Sequence, residues 1–211
     1  MIKIDTLIND INNSNCYLVQ DQEKGKCIVI DPGSRNADNI LELIQKERFF
    51  LDYIILTHSH FDHIAGAGSL SSKLNPKIIS SRLCSEKIQD PIKNLSYFTD
   101  FGIIVAPQAD ICIEDMDNNL LEWNDIPIKF YYSPGHTKCS ILVQIEKKLF
   151  TGDTLLKGIE SKVMQPDGNR EELKKSLMNI YETIPGDTLI LPGHGESFML
   201  ETQDLKVSLN K

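Results

Sequence analysis

The 211-residue sequence lacks several features that mark whole classes of protein. No apolar run approaches the roughly 20 residues of a membrane-spanning helix, and residues 1–5 do not open a basic stretch followed by an apolar one, so we expect no export signal. Acidic residues outnumber basic ones by 30 to 22, for a net charge of −8, which argues against a broad basic surface for nucleic acid. We therefore expect a soluble, cytoplasmic protein with neither a nucleic-acid nor a membrane partner.

Cysteines are few, and their spacing does not suggest pairs. The five cysteines are an odd number, are widely scattered and include no C-x-x-C pair. Neither a disulfide framework nor a thiolate zinc knuckle is expected from such an arrangement, and a reducing compartment fits best.

Histidine is equally rare, but its distribution is informative. Three of the five histidines and one aspartate fall within residues 58–63, directly after an apolar run, and the other two follow later strand-like runs in P-G-H-T and P-G-H-G. A further aspartate follows a short apolar run in F-T-G-D-T. Loops at strand ends present ligands from a rigid sheet. The candidate metal ligands are His58, His60, Asp62, His63, His136, Asp153 and His194.

Spacing within the first cluster indicates two ions rather than one. His58 and His60 are two residues apart, so at an extended strand end they point the same way, whereas in a helix they would diverge by about 200°. Asp62 and His63 follow past the strand end and can turn toward a second ion about 3.5 to 4 Å away. An alternative without metal would cluster four polar groups behind an apolar strand at a cost in burial.

The remaining candidates complete this arrangement. His136 and His194 would each complete one site, and Asp153 is the natural bridging carboxylate. Imidazole and carboxylate ligands without thiolate suit zinc, iron or manganese. We expect two divalent ions, zinc before iron or manganese, and a bridging water whose pKa is lowered to about 7.

Apolar periodicity and turn residues predict two successive sets of strands and helices. Asn169 is the expected N-cap of the last helix, with Glu172 completing a capping box. Residues 84–109 read as a loop with a short helix that borders the active site. The predicted strands cover residues 2–8, 15–20, 27–30, 52–56, 77–80, 110–113, 126–132, 139–145, 149–151 and 188–191, and the predicted helices cover 37–47, 64–74 and 169–184. This order indicates an α/β protein, a four-layer αβ/βα sandwich of two mixed sheets packed face to face with helices outside, in one domain over residues 1–211.

The motifs H-x-H-x-D-H, P-G-H-T, G-D-T and P-G-H-G, in this order, resemble those of the metallo-β-lactamase-fold hydrolases, most closely the glyoxalase II (hydroxyacylglutathione hydrolase) branch. The resemblance implies hydroxide attack on a carbonyl, with catalytic roles for Asp62 and Asp153. Asp31, in V-I-D-P-G, matches the family's first motif, in which the acid supports the metal loop. The implied ligands are His58, His60 and His136 for the first metal, Asp62, His63 and His194 for the second, and Asp153 between them.

Departures from the family pattern narrow the expected substrate. Asp153 stands where β-lactamases with a cysteine ligand carry that cysteine, which disfavours antibiotic hydrolysis. Cys139 replaces a glycine and is expected to be a small buried residue at a strand start. Ser161 and Lys162 replace a Gly-Arg that contacts substrate, so Lys162 is a substrate-binding candidate without the arginine fork. Glyoxalase II adds a C-terminal helical domain that supplies much of its thiol-tripeptide site. We expect this chain to lack that domain, so the chemistry should carry over more securely than the glutathione substrate.

We therefore expect a hydrolase of a small thioester or ester. Three alternatives stay open at this point: a lactonase, an oxidoreductase that resembles the mono-iron persulfide dioxygenases, and a non-enzymatic sensor of the same fold.

Overall fold

The computed structural model describes residues 1–163 and 167–200. The chain divides into two compact units, Met1–Asp115 and Met116–Lys211, and each contains one mixed sheet of six strands. The single domain expected over residues 1–211 stays a prediction, and its last 11 residues lie outside the described part of the chain.

The first unit carries one sheet in simple chain order, β1 to β6. The two hairpin pairs β1–β2 and β2–β3 are antiparallel, and the later pairs through β6 are parallel, with helices in the connections. Its elements are β1 (Ile2–Ile8), β2 (Asn15–Asp21), β3 (Lys26–Ile30), α1 (Asp38–Glu47), β4 (Phe50–Ile55), α2 (Phe61–Ile64), α3 (Ala67–Leu74), β5 (Lys77–Ser80), α4 (Arg82–Lys87) and β6 (Ile111–Cys112).

The interior strands of this sheet and one face of helix α1 are buried. All seven residues of β2 are buried, as expected for a central strand covered on both faces. Helix α1 buries Ile40, Leu41 and Ile44. The helical spacing predicted Ile40, Leu43 and Ile44, and Leu43 is only half-buried because Leu41 takes its place on the buried face. It ends at Arg48, which takes the left-handed conformation.

The second unit has the order β7 to β12, and its pairs are antiparallel except for β10 with β11. The parallel pair is joined through a helix, as parallel neighbours require a crossover connection. The elements are β7 (Leu120–Trp123), β8 (Ile126–Tyr132), β9 (Ile141–Ile145), β10 (Lys148–Gly152), α5 (Arg170–Thr183), β11 (Leu189–Pro192) and β12 (Phe198–Met199).

Helix α5 begins at its predicted cap. The Asn169 side chain accepts hydrogen bonds from the backbone N–H groups of Glu171 and Glu172, at 3.0 and 3.2 Å. The backbone N–H of Asn169 donates to the Gly135 carbonyl oxygen at 2.8 Å, in place of the return bond expected from the Glu172 side chain. The apolar face of α5 joins the buried cluster of this unit through Leu173, Leu177, Ile180 and Ile184.

Two strands were not expected from the sequence. Strand β7 pairs with β8 across a two-residue turn, Asn124–Asp125, in which both residues have positive φ. Strand β12 is only two residues long. The predicted loop with a short helix over residues 84–109 is confirmed, because this segment contains the end of α4 and a 3₁₀ turn at Ser96–Phe98. None of the described helices is long and apolar enough to cross a membrane.

Candidate metal centre

In the first unit, the loop after β4 gathers three imidazoles. The chain stays extended as far as His60, which precedes α2, so Asp62 and His63 lie on the first helical turn. The ring centroids of His58 and His60 are 4.8 Å apart, and those of His58 and His63 are 4.3 Å apart. The change from extended to helical backbone after His60 brings the His63 ring back to within 4.3 Å of His58. Sequence periodicity had placed the helix start at residue 64, because four residues are too few to show a period.

Asp31 supports this loop through both carboxylate oxygens. Its Oδ1 accepts the Thr57 backbone N–H at 2.8 Å, and its Oδ2 accepts the Thr57 hydroxyl at 2.6 Å. Nδ1 of His63 lies 3.0 Å from the same Oδ2. Ligand atoms of Asp31, His58 and His63 lie within 4.8 Å of one another. Since three donors already occupy the Asp31 oxygens, this carboxylate orients the loop, which is the supporting role expected of it.

Asp62 is held by residues from the β1–β2 loop, which sequence reasoning missed. The Asn12 side-chain amide donates to Oδ2 of Asp62 at 3.0 Å, and the Ser14 hydroxyl donates to its backbone carbonyl oxygen at 2.5 Å. Gly33 passes so close to this carbonyl that a Cβ atom would lie well under 3.0 Å from it. One carboxylate oxygen of Asp62 and its backbone carbonyl are therefore both fixed by side chains of the β1–β2 loop.

The segment 84–109 contacts the same loop, as expected from the sequence. The backbone N–H of Phe61 donates to the Asn94 carbonyl oxygen at 3.1 Å, and the rings of Phe61 and Phe101 have centroids 5.9 Å apart. The buried Asn94 amide donates to the carbonyl oxygens of Ile88 and Ile104, which fastens the segment internally. The residue between His60 and Asp62 thus packs against an ordered loop.

In the second unit, three separate strand ends supply the candidate ligands. His136 lies between β8 and β9, Asp153 follows β10, and His194 follows β11. Oδ2 of Asp153 lies 3.6 Å from Nε2 of His136 and also 3.6 Å from Nε2 of His194. A carboxylate equidistant from two imidazole nitrogens has the geometry expected of a group shared by two cations.

His136 is oriented by backbone rather than by a carboxylate. Its Nδ1 lies 2.7 Å from the Lys162 carbonyl oxygen and 3.2 Å from the Ser161 hydroxyl. A carbonyl oxygen only accepts, so Nδ1 carries the proton and Nε2 carries the lone pair that could bind a metal. Lys162 therefore acts on the site through its main chain, and the substrate-binding role of its side chain stays a prediction.

The cysteines play the part expected from their scatter. All five are buried thiols, and Cys139 is 1% exposed, as predicted for a small residue packed at a strand start. Burial raises the pKa of the Cys16 thiol well above its ordinary value and that of Cys27 to about 12. Protonated, buried thiols are poor metal ligands and poor nucleophiles. The donor set is thus imidazole and carboxylate, which fits divalent zinc, iron or manganese.

Comparison with known proteins agrees with this chemistry. Residues 9–194 match the family model described as the metallo-beta-lactamase superfamily. The hydroxyacylglutathione hydrolase GloC of Haemophilus influenzae is 30% identical over 188 residues, covering 86% of this chain and 85% of the relative. The human mitochondrial persulfide dioxygenase ETHE1 is 32% identical over 197 residues, covering 92% of this chain and 69% of the relative.

Solved structures share the fold. The crystal structure of the BLEG-1 B3 metallo-beta-lactamase has a TM-score of 0.87 at 21% identity, with 94% of both chains covered. A protein crystallised in a di-iron-bound form has a TM-score of 0.80 at 22% identity, covering 98% of this chain and all of the other. The predicted fold class is confirmed by the two mixed six-stranded sheets and by these matches.

Proposed function

The chain belongs to the metallo-beta-lactamase superfamily, and from that premise we propose that it is a dinuclear metal-dependent hydrolase of a small thioester or ester. One observation carries the proposal: in both units, imidazoles are oriented by acceptors at Nδ1, so that Nε2 is the metal-binding atom. His63 is oriented by Asp31 and His136 by the Lys162 carbonyl. Metal-binding histidines in proteins are held in this way almost without exception.

The proposed ligand sets are those that the family resemblance implies. Asp153 would contact both ions, consistent with its equal distance from the two imidazoles of its own unit. When bound, two divalent ions polarise a substrate carbonyl and lower the pKa of water toward neutrality. We assign His58, His60 and His136 to the first ion, Asp62, His63 and His194 to the second, and Asp153 to both.

The chain's own residues supply orientation and exclusion of water. Asp31, Thr57, His58 and His63 are at most 2% exposed, so the hydrogen bonds that hold the rings do not compete with solvent. The Asn12 amide donates to one oxygen of Asp62, which orients the side chain of this proposed ligand. A site oriented in this way loses little entropy when it binds a metal.

A thioester is favoured as substrate class by the hydroxyacylglutathione hydrolase GloC, which matches along nearly the whole chain. Zinc is the proposed metal, with iron and manganese as alternatives, because imidazole and carboxylate ligands suit all three ions. Lactones belong in the same assay panel, since their carbonyl presents the same electrophile to the site.

The test begins with the metal content of the purified protein by plasma mass spectrometry. We expect close to two equivalents per chain, loss of activity on chelation, and recovery on adding zinc. A panel of small thioesters, esters and lactones then identifies the substrate class. A protein with two bound metals that hydrolyses none of the three classes would contradict the proposed reaction while leaving the metal centre intact.

A second candidate is a mono-iron persulfide dioxygenase, favoured by the 32% identity to human ETHE1. This activity predicts one equivalent of iron and oxygen consumption with a persulfide substrate. His63→Gln separates the two proposals, because it removes a ligand of the second ion only. The variant should lose hydrolysis if the centre is dinuclear, and should keep dioxygenase activity if a single iron suffices.

A further inference from the structure

We propose that Thr57 is a positioning residue that connects Asp31 to His58, so that one carboxylate sets the protonated nitrogen of a ligand on each metal ion. The inference rests on the proposed dinuclear centre, in which His58 belongs to the first ion and His63 to the second. Thr57 lies next to His58 in sequence and is 1% exposed.

Counting protons assigns the direction of each hydrogen bond. The Thr57 hydroxyl donates its single proton to Oδ2 of Asp31 at 2.6 Å. The hydroxyl oxygen also lies 3.0 Å from Nδ1 of His58. With its proton already committed, the hydroxyl can only accept, so Nδ1 of His58 must carry a proton. The neutral ring then has its lone pair on Nε2, the atom proposed to bind metal.

His63 reaches the same carboxylate directly. Its Nδ1 lies 3.0 Å from Oδ2 of Asp31 and must donate to it. Both rings are wholly buried, so water cannot replace either acceptor. The two imidazoles are thus oriented by one oxygen atom, His63 in one step and His58 in two.

The backbone at Asp31 indicates that this position is selected for its side chain. Asp31 has a φ of 52° and is followed by Pro32, although glycine would adopt this conformation without strain. A strained residue persists where the surrounding structure holds it, and such residues cluster at functional sites. Substitution by asparagine is therefore the mildest change, because asparagine tolerates a left-handed backbone best.

The arrangement predicts an asymmetry between two variants. Thr57→Val removes the hydroxyl but keeps the backbone N–H bond to Asp31, so only His58 loses its acceptor. Asp31→Asn offers one good acceptor oxygen instead of two charged ones, so both His58 and His63 are affected. A merely structural role for Thr57 would lower stability without selecting one ring.

The first experiment reads the rings directly. With only five histidines in the chain, ¹⁵N-edited NMR of the full-length, metal-free protein can resolve each side chain, and without a metal at Nε2 the tautomer of each ring depends on its hydrogen bonds alone. We expect Nδ1–H in both His58 and His63 of the wild type, loss of this signature for His58 alone in Thr57→Val, and loss for both in Asp31→Asn. Thr57→Ser should restore the wild-type pattern, because serine keeps the hydroxyl.

Thr188→Val is the matched control for the effect of replacing a buried threonine hydroxyl by a methyl group. Thr188 is also wholly buried, and its hydroxyl makes no hydrogen bond among the described residues. Its replacement should leave all five ring signals unchanged. Its melting temperature, beside that of Thr57→Val, shows how much stability a buried threonine-to-valine change costs in this chain.

The second experiment measures zinc affinity by competition with a chelator. Removing an outer partner of a metal ligand weakens binding by about 10- to 100-fold, so Thr57→Val should weaken one zinc site and Asp31→Asn both. A protonated Nδ1 at His58 in Thr57→Val, or equal weakening of both sites in that variant, would overturn the proposal. The NMR result tests the role of Thr57 separately from the proposed hydrolase. A wild-type protein that shows the expected ring signals but binds a single zinc would contradict only the dinuclear centre.

Discussion

The two units supply candidate metal ligands in opposite ways. The first takes three histidines and an aspartate from six consecutive residues, 58–63, and fastens them through side chains. The second takes one ligand from each of three strand ends, and the ring of His136 is fastened by a main-chain carbonyl. Local ligands need dedicated side-chain partners, whereas dispersed ligands take their positions from the sheet itself. The first unit should therefore be sensitive to single polar substitutions, and the second to changes in the ligands or the packing.

The largest effect is expected at the shared ligand of the second unit. Asp153→Asn keeps the side-chain shape but presents one acceptor oxygen and no charge. The two metal ions therefore lose the negative charge that offsets their mutual repulsion. We expect the fold and one ion to survive, with kcat lower by at least about 100-fold, more than an outer partner contributes, and KM little changed.

Metal content and kinetics with the best thioester measure this effect. Asp187→Asn is the control, because Asp187 is an exposed carboxylate of the same unit, bonded to Lys147. Two bound ions and near-normal kcat in Asp153→Asn would show that Asp153 does not bridge.

Glycine substitutions test packing in the two units at matched sites. A Cβ at Gly33 would collide with the Asp62 carbonyl, and one at Gly135 with the backbone of Leu173 at the start of α5. Gly135 also has a φ of 140°. Each alanine variant should lose about 3 kcal/mol in urea unfolding, because backbone cannot move aside cheaply.

Gly186→Ala provides the reference, since its Cβ would meet nothing closer than 3.9 Å. The difference between the two units would be clearer if Gly33→Ala also lost zinc from the first unit's ligands at urea concentrations too low to unfold the protein. Equal stability of all three variants would mean that neither close approach constrains the fold.

A smaller effect is expected at Asn12. Asn12→Leu is nearly isosteric and removes the donor to Oδ2 of Asp62, so zinc affinity should fall by about 10-fold. Asn13→Leu is the control for backbone strain, because φ is 54° at Asn12 and 52° at Asn13. Equal affinity in the two variants would remove Asn12 from the support of Asp62. No comparable substitution exists for the carbonyl that orients His136.

The smallest effect is expected when mildly alkaline pH lowers the free energy of unfolding. This effect should come from buried thiols of the first unit. Burial raises the pKa of Cys27 from 9.0 to about 12 and that of Cys16 well above 9.0. The unfolded chain therefore releases these protons first, so their contribution to stability is complete below pH 9 and falls as pH rises. Between pH 8.5 and 9.5 we expect a loss of about 1 kcal/mol, since full ionisation of one thiol in the unfolded state alone costs about 1.4 kcal/mol per pH unit.

Chemical unfolding at the two pH values measures the slope. Cys27→Ala should flatten it, whereas Val29→Ala, on the same buried strand, should lower stability without changing the slope. An unchanged slope in Cys27→Ala would mean that this thiol does not titrate differently in the folded chain.

Much of the fold was readable from local pattern. Strands with apolar runs and the capped helix α5 appeared where expected, because burial and capping act over a few neighbouring residues. Strand β7 was missed because its turn is Asn124–Asp125, without the glycine that usually signals a two-residue hairpin. The four-residue helix α2 was missed because it is too short to show a period.

The support of the site was less readable than its ligands. Histidine and aspartate carry their chemistry in the side chain, so their clustering is visible in one dimension. Asn12 acts on Asp62 across 50 residues, and nothing near either residue indicates the pairing. The carbonyl of Lys162 leaves no trace in sequence, because every residue has one. The asparagine-serine run of the β1–β2 loop was the one available signal, since unusual polar residues at buried turns often support a neighbouring loop.

Because the first unit's candidate ligands are contiguous in sequence, they are synthesised together and before those of the second unit. Asp31, Thr57 and residues 58–63 all belong to Met1–Asp115, so the ribosome completes this unit before residue 116 is added. At about 5 to 20 residues per second, the 96 residues from 116 to 211 take roughly 5 to 20 s more. At the start of that interval the nascent chain already carries three histidines and an aspartate of the proposed centre, whereas His136, Asp153 and His194 are still to be added.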